Sequence, residues 1–226
     1  VLTPWQVSPN SGPDITPSAC DALGGGCLLL ARLLLAPLDS QLVTELRQHL
    51  LAEWPLASQK GAEQLLAKLP DAGDEHALDT LAATYDLLFT GPGHVLVTPY
   101  ESVYTSREHL LFEPSTAEVR AFYDRWGVQA PRLLTEPDDH IGLELHFMGL
   151  LWDRAAQTSA AGDNAQLDLV MGDLRAFYRD HVSAFLPEII RGLGEHDPDG
   201  LYGALGIMLR ELESSLQEFL VQSDGQ

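Results

Sequence analysis

Chemistry-bearing side chains crowd into three stretches of the 226-residue sequence. The first is Tyr85-Asp86-Leu87-Leu88-Phe89 with Gly91-Pro92, the second Pro99-Tyr100-Glu101-Ser102-Val103-Tyr104, and the third Glu136-Pro137-Asp138-Asp139-His140 with Glu144-Leu145. His140 and Glu144 stand one helical turn apart, as two metal ligands on one helix would. Helical carboxylate metal sites repeat Glu-x-x-His on facing helices, and no Glu-x-x-His occurs in this sequence. A helical metal-binding protein using His140 and Glu144 is therefore an alternative and not the leading reading. Nucleophilic catalysis lacks its parts: there is no G-x-S-x-G elbow, and Cys20 and Cys27 lie in an apolar helical context that keeps thiols inert. A nucleotide site lacks them too, because Gly24-Gly25-Gly26 runs into Cys and Leu without the lysine of a phosphate loop. These residues point to binding, not to an enzyme.

The elements that must position them are helices. Leu78, Leu81, Ala82, Tyr85, Leu88 and Phe89 follow the i, i+3, i+4, i+7 rhythm of a buried face over 75–90. An apolar helix runs from Pro17 to a stop at Pro37, and Ser40 is read as the N-cap of the next, which ends at Pro55. Another covers 58–69. Ser115 and Glu118 make an S-x-x-E capping box for a helix that reaches Trp126 before Gly127. Three more follow at 138–159, 164–184 and 198–222, the last opened by Asp197-Pro198. Asp138 and Asp139 suit the start of the first of these, where they accept free N–H groups and oppose the positive dipole end. Residues 91–105 break the helical rhythm, and so long a loop in a compact domain is usually functional. Alternating strand patterns and internal repeats are absent from the sequence. The expectation is an all-α, single helical-bundle domain over 17–226 of about eight to ten helices, with a flexible arm at 1–16 and a hinge at 91–113.

Thirteen Lys plus Arg against 33 Asp plus Glu give a formal charge of −20, which repels nucleic acid and anionic lipid and favours cationic partners. Two cysteines without a CxxC spacing suit a reduced, cytoplasmic setting. The opening residues lack a basic segment followed by an apolar one, so export is not expected. The longest apolar run, Cys27 to Pro37, is interrupted by Arg32 and falls short of the roughly 20 residues of a membrane span. Stable membrane insertion is not expected.

L-F-x-G-P at Leu88 to Pro92, P-Y-x-S-V-Y at Pro99 to Tyr104 and E-P-x-D-H at Glu136 to His140 resemble, in order and spacing, the TorD/DmsD family of redox-enzyme maturation chaperones. The likeness covers about 75–190 and weakens before Pro55. It implies an all-helical cytoplasmic chaperone that binds the twin-arginine leader and the apoprotein of a molybdenum oxidoreductase, assists cofactor insertion and delays export. Asp139 and His140 match the family's leader-binding pair, and the Gly91 to Tyr104 loop would line the same groove. Leader contacts are accordingly expected at Phe89, Pro92, Pro99, Tyr100, Ser102, Tyr104, Glu136, Asp139, His140 and Glu144. No cofactor is expected; guanine nucleotide, suggested for relatives, finds no motif here. Exchange of helices across the hinge leaves monomer or domain-swapped dimer open. Exposed ion pairs contribute about 0.2–1 kcal/mol each and a buried Leu or Phe about 1.5–3 kcal/mol, so apolar contact should dominate affinity. His140 beside carboxylates is expected to favour its charged form and make binding pH-dependent. Phe89, Trp152 and His181 are read first as structural. A general helical scaffold without leader specificity is the second alternative.

Overall fold

Thr16 accepts the Ala19 N–H and Pro17 sits in the first turn, and together they start α1 (Pro17–Leu35). The computed structural model describes residues 15–91, 95–131 and 136–221, and every regular element among them is helical. After α1 come α2 (Ser40–Glu45), α3 (Lys60–Lys68), α4 (Glu75–Tyr85), α5 (Glu101–Thr105), α6 (Pro114–Arg125), α7 (Ile141–Ala161), α8 (Asn164–Phe177), α9 (Ser183–His196) and α10 (Leu201–Leu220). Wider turns, Leu46–Leu50 and Asp86–Thr90, prolong α2 and α4, and a third, Tyr178–Val182, fuses α8 to α9. That leaves nine continuous helices among the described residues, within the expected range.

The core forms around α1 and α7. Leu30, Leu34, Leu145, Met148 and Trp152 are fully buried between them and their neighbours. Close approach depends on missing side chains: a Cβ on Gly149 would lie 2.6 Å from Leu28 Cγ, and one on Gly142 would lie 2.7 Å from Leu35 Cγ. Cys20 and Cys27 belong to this core, and burial pushes the Cys20 thiol up to about 11 and that of Cys27 higher still, which removes both as nucleophiles. By length and composition α1, 19 residues with a mean hydropathy of 1.5, could cross a membrane, so counting the run from Cys27 alone understates it; half of that stretch is buried inside the fold.

Several helix starts differ from the sequence reading. Asp39, not Ser40, caps α2, accepting the Leu42 N–H at 2.7 Å. Pro114 occupies the first turn of α6, which draws Ser115 inside the helix and leaves the Ser115–Glu118 box unformed. The chain turns once more after Pro198 before α10 begins at Leu201, and Asp197 reaches forward to accept the Tyr202 N–H at 2.8 Å. The end of α6 is as read, with Gly127 at φ +66° and Val128 N–H returning to the Tyr123 carbonyl at 3.0 Å.

Candidate functional site

Two extended residues meet where the second and third motifs cross. Ile141 N–H donates to the Pro99 carbonyl at 2.8 Å and Glu101 N–H to the Asp139 carbonyl at 2.9 Å, a single antiparallel bridge between Tyr100 and His140. Their rings meet edge to face, 5.2 Å between centroids. The first motif arrives by the wide turn that prolongs α4. Gly91 N–H returns to the Asp86 carbonyl there, and a Cβ on Gly91 would lie 2.9 Å from that oxygen, so the turn needs glycine. Thr90 Oγ1 donates to Asp86 Oδ1 at 2.7 Å.

All three motifs open on one cavity of about 480 Å³, lined by Tyr85, Asp86, Thr90, Tyr100, Glu136, Pro137, His140 and Leu143 and closed by Leu35 to Pro37 and Ala130-Pro131. It holds two carboxylates and no Lys or Arg among its described lining residues. A second cavity of about 420 Å³ shares Leu35, Ala130, Pro131 and Leu143 with it and continues over Val128, Tyr123, Phe147 and Leu150, with Gln129 and His146 its polar members. The pair makes one groove, acidic at one end and apolar at the other.

Of the expected contacts, Tyr100, Glu136 and His140 line this groove. The other described ones lie elsewhere. Phe89 is buried in the core against Tyr85 and Tyr202, with centroids 5.0 and 5.7 Å away. Pro99 and Ser102 are buried, and Tyr104 stacks on Phe185 at 5.9 Å. Glu144 has no exposed surface, so it shares no open face with His140 that a metal ion could occupy. Among the described residues no group of three or more His, Cys, Asp or Glu side chains is arranged to hold a metal. Pro92 lies outside the described residues.

Asp139 is the largest correction. Its carboxylate is fully buried behind the wall, accepting Ser102 N–H at 2.7 Å and the Thr116 hydroxyl at 2.8 Å, and so ties α5 and α6 to the entry of α7. Asp138 pairs with Arg120, and its carbonyl accepts from the Tyr123 hydroxyl at 3.2 Å. Neither aspartate caps α7, because the extended bridge at His140 turns both side chains back toward α5 and α6. His140 itself is the cap, its Nδ1 accepting the Gly142 N–H at 3.0 Å. That bond uses the lone pair of a neutral imidazole. Burial outweighs Asp139 and Glu136 and pushes its pKa down to about 4, which reverses the expectation of a favoured charged form. The sign follows: between 6.5 and about 4 the unfolded histidine binds a proton that the folded one refuses, so this contribution to stability is lost as pH falls. Thermal melts of His140→Asn, whose side chain still caps, are expected to show a shallower acid decline than the parent.

The sequence reading missed the apolar lining. Leu143, Phe147 and Leu150 recur at i, i+4 and i+7 on α7, a signal that reads equally well as ordinary core. The model of the family described as nitrate reductase delta subunit matches residues 51–191. The chain belongs to this family, that of the TorD and DmsD chaperones. Among similar proteins, the chaperone protein TorD of Vibrio cholerae serotype O1 is 30% identical over 141 residues, 62% of this chain and 61% of that protein. The Tat proofreading chaperone DmsD of Salmonella typhi is 32% identical over 91 residues, 40% of this chain and 42% of its own length. The chaperone protein TorD of Aeromonas salmonicida is 36% identical over 78 residues, 33% and 35% of the two chains. The chain thus spans about three fifths of the length of the TorD relative it matches most extensively here. The family match covers all three motifs and both cavities' linings from Tyr85 to Leu150.

Proposed function

We propose that this TorD/DmsD family member is a cytoplasmic chaperone for a redox enzyme, and that its groove holds a twin-arginine leader of a molybdenum oxidoreductase until the cofactor is in place. The observation that carries the reading is the groove's division. A leader of this class presents guanidinium groups followed by an apolar stretch. Asp86 and Glu136 face the first cavity, and Leu35, Val128, Leu143 and Leu150 wall the second. Charge at one end sets register and encounter, and burial at the other supplies most of the affinity. Tyr100 and His140 form the rim between the irregular loop and α7. A non-enzymatic role fits the names of the relatives.

The test is calorimetric titration of a leader peptide at low and high salt against the parent, Leu143→Asp and Glu136→Gln. Leu143 belongs to both cavities, so Leu143→Asp is expected to weaken binding by tenfold or more, on the order of 1.5–3 kcal/mol. Glu136→Gln is expected to cost less, within about 1 kcal/mol, and to flatten the salt dependence. Equal binding of a peptide with the same composition in scrambled order would replace this reading with that of a general scaffold.

A further inference from the structure

Behind the Tyr100–His140 wall, Glu101, Asp138, Asp139 and Glu144 are all buried. Three of the four carboxylates are partnered. Glu101 Oε2 lies 3.0 Å from His181 Nδ1, Asp138 pairs with Arg120, and Asp139 accepts from Ser102 and Thr116. Glu144 differs: it has no exposed surface, and neither of its carboxylate oxygens meets a hydrogen-bond donor. An ion so placed has lost its water and gained nothing in exchange, whereas the neutral acid loses far less.

We infer that Glu144 is a proton-binding site: the folded chain holds one proton there at neutral pH, and its release sets a new negative charge inside the clasp that joins α5, α6 and α7. The groups facing it come from each of these elements. Glu101 acts on it from α5, Asp139 from the entry to α7 and Tyr123 from α6, while Asp138, next to Asp139 in the chain, is paired with Arg120 of α6. His181, in the wide turn between α8 and α9, holds Glu101 from the far side. Arg120 is engaged by Asp138 and the His181 ring by Glu101, so each already has a carboxylate partner. Burial first, then the charges of Glu101 and Asp139, push the Glu144 carboxyl well above its ordinary range.

Linkage fixes the direction. Between the ordinary carboxylate range and Glu144's raised one, the unfolded chain has released a proton that the folded chain retains. The stability this proton confers is complete on the acid side and falls as pH rises through the window, tenfold in the folding constant for each unit. Tyr100 and His140 are mounted on the segments that Asp139 ties together, so loosening the clasp loosens the groove wall. That consequence rests on the leader-binding reading; the proton does not.

Thermal melts of the full chain and of Glu144→Gln, from about pH 5 to about pH 9, test the proton directly. Gln has the shape of the neutral acid and cannot ionise. The variant is expected to melt above the parent by a margin that widens by roughly 3–5 °C per pH unit until the parent's acid has ionised. A margin that stays constant across the range would overturn the inference. Infrared spectra of the parent at neutral pH provide a second reading that needs no variant to fold. A protonated-carboxyl carbonyl band is expected there, its absence would also overturn the inference, and where Glu144→Gln folds the band should vanish. Leader titrations run alongside separate the two ideas: failure to bind leader would undo the proposed function and leave both of these signals standing.

Discussion

Asp139→Ala is expected to lower the stability of the fold by about 2–5 kcal/mol, because two buried donors lose their acceptor together. Ser102 N–H of α5 and the Thr116 hydroxyl of α6 both point at this carboxylate, at 2.7 and 2.8 Å. In a chain of this length the loss amounts to roughly 5–15 °C in melting temperature. Leader affinity should fall with it, since Tyr100 and His140 hang on the same junction. His140→Ala makes the useful contrast. It removes a groove-lining ring and one helix cap, so it should cost about 1 kcal/mol of stability and a larger share of binding. An Asp139→Ala protein that melts with the parent but fails to bind would mean that the carboxylate acts on the ligand after all.

Phe177→Ala is expected to be at least as damaging, about 3–5 kcal/mol, through the cavity it leaves. The ring is fully buried at the end of α8, edge to face with Phe147 at 4.8 Å and Phe122 at 5.2 Å, and tilted against His181 at 5.1 Å. Phe147 and Tyr123 in turn line the apolar half of the groove. Denaturant unfolding should show a lower midpoint with an unchanged slope, and Phe177→Leu should recover part of the loss. Full stability in Phe177→Ala would mean that neighbouring rings collapse into the space, and the apolar cavity should then change shape and affinity.

Helix existence was legible because the apolar rhythm of α4, α7 and α10 is strong, and a groove shared by the motifs was what the family resemblance implied. Side-chain duties were much less so. Asp138 and Asp139 stand just before a helix and look like caps; the residue that caps is His140, because one extended bridge between distant residues rotates the two aspartates inward. No local pattern announces that bridge. The same blindness applies to Glu144, whose i+4 spacing from His140 suggested a shared face until the structure placed it without exposed surface. The stripe of Leu143, Phe147 and Leu150 went unread, and such a stripe does not say whether protein or ligand will cover it.

Along α7, His140, Leu143, Phe147 and Leu150 serve in turn the acidic cavity, the shared wall and the apolar cavity. A helix rises about 1.5 Å per residue, so His140 and Leu150 stand about 15 Å apart on a rod that does not stretch. On the proposed leader-binding reading the groove is therefore a ruler: a leader would be sorted by how many residues separate its basic pair from its first large apolar side chain, and two ligands of identical composition but different spacing would present themselves to this surface as different molecules.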